Sequence, residues 1–249
     1  MTDPHLKIDG LRAGYGTRVV IDGVSLSIAP GEWFVLMGPN GCGKSTLLDC
    51  AVGRHVPAAG TIQIAGHSLT DDPMQAKQRI GYGCAPESLP GLLTARQCLE
   101  IHAGAKRLAA IGEDILRLAD ELTFMPYLES FVDTMSLGTR QKLSVLLSLV
   151  GDPRLIVLDE AFNGLDPASA LVVKRHLRCR LERQGSSLLL ATHAIDIVEH
   201  YADRAGLLID GRLRRVWNRE EILRMRASAA SFDEALALAI GDSDPSVRA

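Results

Sequence analysis

The sequence has no excess of positive charge. Its 27 lysines and arginines stand against 30 aspartates and glutamates, which gives a formal net charge of -3 at pH 7. Nucleic-acid-binding domains usually carry a basic face and a high isoelectric point. We therefore expect no nucleic-acid partner for this chain.

Long apolar runs, cysteine pairs and a basic leader are lacking as well. The longest apolar segments, such as residues 143–150, are much shorter than the ~20 residues that cross a bilayer. Residues 1–5 lack the basic-then-apolar pattern of a secretory signal. Five cysteines are dispersed without a CxxC pair, which is typical of free thiols in a reducing compartment. We expect a soluble cytoplasmic protein.

One glycine-rich stretch matches the pattern G-x-x-x-x-G-K-[ST] without a mismatch. It reads Gly38-Pro39-Asn40-Gly41-Cys42-Gly43-Lys44-Ser45-Thr46. An apolar run of strand length precedes it at 33–37, and helix-compatible residues follow at 47–52. In such a setting the loop's backbone N–H groups bind phosphate, Lys44 reaches the β- and γ-phosphates, and the Ser45 hydroxyl ligates Mg²⁺. This context makes a chance glycine-rich turn a weak alternative, and the motif predicts a nucleoside triphosphate site.

Two carboxylates follow another buried strand. Residues 155–158 form a continuous apolar run, typical of a parallel strand, and Asp159 and Glu160 come directly after it. Open α/β sheets bind ligands at the carboxyl ends of their strands. Asp159 is therefore expected to hold Mg²⁺, and Glu160 to accept a proton from an attacking water. His193 follows the predicted strand 186–192 and is expected at the same edge.

The remaining patterns indicate an α/β protein with a helical insert. Short alternating strands fill residues 6–36, where Gly10, Gly14 and Gly16 are expected in turns. Apolar spacing becomes helical within 87–150, in the segments 93–103, 111–122 and 143–150. An Asp-Gly pair predicts a hairpin across 205–213. Terminal helices at 220–225 and 232–240, followed by a tail, complete the chain.

Tyr15 and Cys42 each admit two interpretations. Tyr15 stands among glycines and either stacks on a flat ligand or covers the edge of the core. Cys42 lies two positions before Lys44, where a cation and a helix start favour a reactive thiolate that nucleotide would protect. An inert, space-filling thiol is the alternative.

These motifs together resemble the ATP-binding cassette (ABC) ATPases over nearly the full chain. The similar segments are an adenine-stacking aromatic at Tyr15, Walker A at 38–46, a signature loop at 136–141, Walker B at 155–159, a D-loop at 163–166 and a switch histidine at His193. The resemblance implies that Ser136 and Gly138 contact ATP bound to a partner subunit, and it places Asp166 at the nucleotide site. It also assigns Glu160 and His193 to catalysis, and Ser45 and Asp159 to Mg²⁺.

The chain departs from the family pattern at two places. Met135 and Leu137 replace the leucine and first glycine of the signature sequence L-S-G-G-Q, although its contact residues survive. Ala85 stands where the family has the Q-loop glutamine. Either Glu87 or an additional water then takes the place of that glutamine near Mg²⁺.

The resemblance implies a fold and a function. The fold is α/β, with a P-loop NTPase core at 1–86 and 151–218, an antiparallel β subdomain, an inserted helical subdomain at 87–150, and C-terminal helices and tail at 219–249. All belong to a single ABC ATPase domain. The implied function is ATP hydrolysis that drives a separate membrane-spanning permease, most similar to ABC-2-type exporters. Two identical cassettes would act as a dimer at the inner face of the membrane. A soluble ABC ATPase of DNA repair or translation is the alternative.

Overall fold

The computed structural model describes residues 3–227, which contain ten strands and eight α-helices. The strands are β1 (Leu6–Tyr15), β2 (Arg18–Ile28), β3 (Trp33–Met37), β4 (Ala59–Ile64), β5 (His67–Ser68), β6 (Ile80–Gly83), β7 (Leu155–Asp159), β8 (Ser187–Ala191), β9 (Arg204–Ile209) and β10 (Arg212–Asn218). The helices are α1 (Lys44–Ala51), α2 (Pro73–Gln78), α3 (Ala95–Ala105), α4 (Glu113–Glu121), α5 (Leu137–Leu149), α6 (Pro167–Gln184), α7 (Ile195–Tyr201) and α8 (Arg219–Ala227).

The larger sheet carries the predicted site at one edge. Its strand order is β10-β9-β3-β8-β7-β6, and all neighbours are parallel except the β9–β10 pair. The apolar runs of β3 and β8 are buried along their whole length, and β7 is buried up to Asp159. Strands covered on both faces need such continuous apolar sequences. Parallel pairing brings the carboxyl ends of β3, β7 and β8 to the same edge.

The smaller sheet is antiparallel, in the order β2-β1-β4-β5. The expectation that Gly10 and Gly14 form turns is wrong, because both lie inside β1. The β1–β2 register shifts between Ile8 and Leu11 and again before Gly14. Gly10 takes a φ of 58°, and a Cβ at Gly14 would lie 2.0 Å from the Arg18 carbonyl oxygen. Glycine within a strand commonly marks such irregularities.

Three helices, α3 to α5, lie between β6 and β7, as the helical spacing predicts. Helix α3 begins at a capping box formed by Thr94 and Gln97. Helix α5 begins at Leu137, before the apolar stretch 143–150, because the Ser136 hydroxyl caps its first turn. These helices share one apolar core with β3 and β7, in which Leu146 and Ile156 are fully buried. The division of the chain into subdomains stays a prediction.

The predicted hairpin is present at the end of the larger sheet. Asp210 and Gly211 connect β9 to β10 with φ angles of 48° and 71°, the conformation that favours Asp-Gly in two-residue turns. The predicted helix at 220–225 corresponds to α8. The predicted helix at 232–240 and the tail lie outside the described residues. Across residues 3–227, none of the helices combines the length and apolarity that a membrane crossing requires.

Candidate nucleotide-binding and catalytic site

The predicted phosphate loop connects β3 to α1. Its glycines at 38 and 43 have φ angles of 153° and 109°. A Cβ at Gly38 would lie 2.2 Å from the Leu208 carbonyl oxygen, and one at Gly43 would lie 2.7 Å from Cδ1 of Ile21. The close approach and the φ angles both require glycine at these positions, which is typical of a loop whose backbone forms a concave anion site.

Lys44 lies across this loop. Its side chain is buried, and Nζ donates hydrogen bonds to the carbonyl oxygens of Gly38 at 2.7 Å and Pro39 at 3.2 Å. The ammonium is thus fixed beside a cleft of about 230 Å³. The cleft is lined by Val20, Asn40, Gly41, Gly43, Lys44, Ser45, Thr46, Asp159 and Glu160. Fixed N–H groups, a helix N-terminus and a lysine form an arrangement that suits phosphate.

Ser45 and Asp159 supply oxygen atoms to the lining of the same cleft. Burial raises the pKa of Asp159, while a hydrogen bond from Ser45 and the charge of Lys44 act to lower it. Among the described residues, no group of three or more histidines, cysteines or carboxylates could enclose a metal ion. A hydroxyl and one carboxylate fit Mg²⁺, which is usually held by one or two protein oxygens together with phosphate oxygens and water.

Glu160 has a left-handed backbone conformation, and both of its carboxylate oxygens have hydrogen-bond partners. Its φ is 47°, which costs roughly 1–3 kcal/mol for a residue other than glycine. Its N–H donates to the Ala191 carbonyl at 2.9 Å. Oε2 accepts hydrogen bonds from Thr192 Oγ1 and Asn163 Nδ2, each at 3.2 Å, and Oε1 lies 3.0 Å from Nδ1 of His193. No sequence pattern predicts the hydrogen bonds that Thr192 and Asn163 donate to Glu160.

Tyr15 is the last residue of β1 and is not among the residues that line the cleft. The residue is 55% exposed. The ring packs against His55, with centroids 4.7 Å apart and planes tilted by 46°. An exposed, partly supported ring fits the stacking interpretation, which stays a prediction.

The signature and D-loop residues also lie outside the cleft lining. Ser136 is exposed and caps α5, and its hydroxyl accepts a hydrogen bond from the Thr139 N–H at 3.2 Å. A Cβ at Gly138 would lie 2.6 Å from the Gly164 carbonyl oxygen. The two loops therefore touch through glycine backbone, and a side chain at 138 would separate them.

Asp166 has a structural role in this conformation. It caps α6 and accepts hydrogen bonds from the hydroxyl and the N–H of Ser169 at 2.5 and 2.9 Å. The Ser169 hydroxyl is the main cause that holds the pKa of Asp166 at about 2. Its predicted contact with nucleotide is not tested by these contacts and stays a prediction.

Neither candidate for the Q-loop position lines the cleft. Ala85 and Glu87 are both exposed, and Glu87 lies in a 3-10 turn spanning Pro86–Ser88. Glu87 is not among the residues that line the cleft, and the choice between Glu87 and water stays a prediction.

The expectation of a reactive Cys42 thiolate is wrong. Cys42 is only 7% exposed, and burial raises the pKa of its thiol more than the neighbouring Lys44 lowers it. A buried, protonated thiol is a poor nucleophile. The structure therefore supports the alternative of a space-filling side chain.

Iodoacetamide at neutral pH is expected to label the exposed Cys179 and to leave the buried Cys42 unlabelled, with or without ATP. Peptide mapping of the labelled protein measures both sites in one sample, with Cys179 as the internal control. Labelling of Cys42 at the rate of Cys179, with protection by ATP, would contradict the expectation.

A phosphate loop between β3 and α1, with an acidic strand end lining the same cleft, defines a P-loop nucleoside-triphosphate-binding protein. Within that class the chain belongs to the ABC transporter family, because the family model described as ABC transporter matches residues 21–163. The predicted family and fold class are confirmed.

Curated relatives support the same family. The chain is 33% identical over 211 residues to Nod factor export ATP-binding protein I of Ralstonia nicotianae, an alignment that covers 84% of this chain and 65% of that protein. It is 33% identical over 201 residues to the probable multidrug ABC transporter ATP-binding protein YbhF of Escherichia coli, which covers 80% of this chain and 34% of that protein. The chain thus spans less than two thirds of the length of either relative.

Solved structures give the same fold. The ATP-binding subunit of an ABC transporter superposes with a TM-score of 0.85 at 29% identity, over 94% of this chain and 99% of the other. A dimeric ATP-binding cassette bound to ADP and Pi superposes with a TM-score of 0.76 at 24% identity, over 86% and 98%. The second likeness shows the fold alone.

Proposed function

We propose that the chain binds and hydrolyses ATP with Mg²⁺ as the ATP-binding subunit of an ABC transporter. One observation carries this proposal: Lys44, the oxygens of Ser45 and Asp159, and Glu160 line the same cleft. That combination supplies phosphate binding, cation ligands and a general base within one site.

Each side chain has a distinct task in the proposed reaction. The loop N–H groups and Lys44 hold the β- and γ-phosphates, and Ser45 and Asp159 hold the cation. When bound, Mg²⁺ neutralises charge on the phosphate oxygens. Glu160 accepts a proton as water attacks the γ-phosphate, the bond between the γ-phosphorus and the bridging oxygen breaks, and ADP leaves together with phosphate. His193 orients the Glu160 carboxylate through their contact.

We infer that a second copy of the cassette completes each site. Ser136 and Gly138 lie outside the cleft of their own subunit, at an exposed helix start. A head-to-tail pair would bring these residues to nucleotide bound on the partner. Dimeric cassettes among the structural neighbours, one of them bound to ADP and Pi, support this assembly. We also propose that the two cassettes are identical and that Tyr15 and Asp166 contact the nucleotide.

We also propose a separate membrane-spanning permease as partner, with the cassette at the inner face of the membrane. The names of two relatives, a Nod factor export protein and a probable multidrug transporter protein, support export as the direction. The alternative is an ABC ATPase of DNA repair or translation. Affinity purification of the tagged full chain from membranes distinguishes the two: recovery of a polytopic membrane protein supports the transporter, and recovery of nucleic acid or ribosomes supports the alternative.

Hydrolysis is tested with the purified full chain. Phosphate release from ATP should require Mg²⁺ and should stop when the cation is chelated, because Ser45 and Asp159 alone do not enclose a metal ion. Binding of ATP without phosphate release under all cation conditions would remove hydrolysis from the proposal.

Two substitutions test the Q-loop position. Because Glu87 is not among the residues that line the cleft, Glu87→Ala should leave the dependence of ATPase rate on Mg²⁺ unchanged. Ala85→Gln restores an amide that both accepts from water and ligates Mg²⁺, so it should lower the Mg²⁺ concentration that gives half-maximal rate. Titrating Mg²⁺ against rate for both variants is the measurement. A weakened Mg²⁺ response in Glu87→Ala would show that the carboxylate reaches the cation after all.

A further inference from the structure

Lys174 contacts the two segments that carry Glu160 and His193. It lies in α6, and its side chain is only 15% exposed. Its ammonium is 5.4 Å from the centroid of the Phe162 ring and 5.3 Å from that of the Tyr201 ring. The same ammonium lies 3.2 Å from Oδ2 of Asp196. One cation therefore joins three side chains from two separate segments.

The first segment is the turn that follows β7. Phe162 stands two residues after Glu160, within a turn closed by a hydrogen bond from the Asn163 N–H to the Glu160 carbonyl at 3.0 Å. A second bond, from the Leu165 N–H to the Phe162 carbonyl at 3.3 Å, continues the turn. Holding the Phe162 ring therefore restricts the short turn in which Glu160 takes its left-handed backbone.

The second segment begins at the end of β8. Asp196 lies three residues after His193, in the first turn of α7, and Tyr201 is the last residue of that helix. Contacts at both ends hold α7 against Lys174 of α6. The position of His193, two residues before α7, depends on that placement.

We propose that Lys174 is a positioning residue that sets the distance between Glu160 and His193. The two side chains lie 3.0 Å apart, yet they belong to loops after different strands. A largely buried cation, attracted to two aromatic faces and to the more exposed Asp196 carboxylate, links these loops. Lys174 does not line the phosphate cleft, so it acts on hydrolysis without touching nucleotide.

The inference rests on the proposed ATPase function, and kinetics of the full-length chain tests the two separately. Lys174→Met keeps most of the apolar stem and removes the charge. We expect kcat to fall about 10- to 100-fold, as for a catalytic group displaced by about 1 Å, with the KM for ATP unchanged. Lys174→Arg keeps the cation for both rings and for Asp196, and it should restore most of the rate.

Arg204 provides a control at the first residue of β9, at the strand end opposite the cleft. It also combines an ion pair, to Glu32 at 3.0 Å, with a cation–ring contact, 5.5 Å from the Phe34 centroid. Arg204→Met should lower the thermal midpoint, as Lys174→Met does, and leave kcat unchanged. Phosphate release by the wild type establishes the proposed function independently. If the wild type hydrolyses ATP and Lys174→Met matches Arg204→Met in kcat, the positioning role is overturned.

Discussion

The Glu160→Gln variant is expected to bind ATP like the wild type and to lose about 10²- to 10⁴-fold in kcat. The amide cannot accept the proton of the attacking water, but it fits the same position. Its carbonyl oxygen can accept the hydrogen bonds from Thr192 and Asn163, while its NH₂ faces Nδ1 of His193 in the accepting tautomer. The protein should therefore remain folded with nucleotide in place.

Single-turnover phosphate release and equilibrium ATP binding measure the two effects separately. Glu121→Gln is a suitable control, because it makes the same chemical change at an exposed position at the end of α4. Its rate and its ATP affinity should equal those of the wild type. Wild-type turnover in Glu160→Gln would remove Glu160 from the mechanism. Loss of ATP affinity in that variant would instead assign the carboxylate to binding.

The parts of the site that the sequence predicts are those encoded by short contiguous patterns. Glycines, Lys44 and Ser45 follow an apolar run directly, and Asp159 and Glu160 follow another. In both cases the strand and the functional residues share one stretch of chain. Parallel pairing of β3, β7 and β8 then brings the stretches together, and it also accounts for the predicted nearness of His193.

Other features depend on contacts between distant segments and have no local pattern. Cys42 stands beside a lysine in the sequence, but only the fold shows that the thiol is buried, which reverses the expected direction of its pKa shift. Lys174 is an ordinary residue of an amphipathic helix until α7 and the turn after β7 pack around it. The glycines of β1 resemble turn residues because bulges and turns require the same backbone freedom.

The second large effect is expected at the signature loop. In the Glu160→Gln background, which retains ATP, the proposed dimer should accumulate when ATP is added. Adding Ser136→Asp should abolish that dimer, because a carboxylate would face the phosphates of the partner's nucleotide. Such like-charge contacts cost several kcal/mol, and ~4 kcal/mol corresponds to about a thousandfold in the dissociation constant.

Ser136→Asn separates this charge effect from helix capping. Serine, aspartate and asparagine are comparable N-caps, so both variants should keep the first turn of α5 that Ser136 now caps. We expect Ser136→Asn to dimerise with ATP, and Ser136→Asp to stay monomeric while binding ATP with undiminished affinity. Analytical ultracentrifugation with and without ATP measures assembly, and calorimetry measures binding. A persistent dimer in Ser136→Asp would show that the signature loop does not face the partner's nucleotide. If monomeric Ser136→Asp instead loses about a thousandfold in ATP affinity, residue 136 lies at the nucleotide site of its own subunit. Only there could the added carboxylate repel nucleotide without assembly.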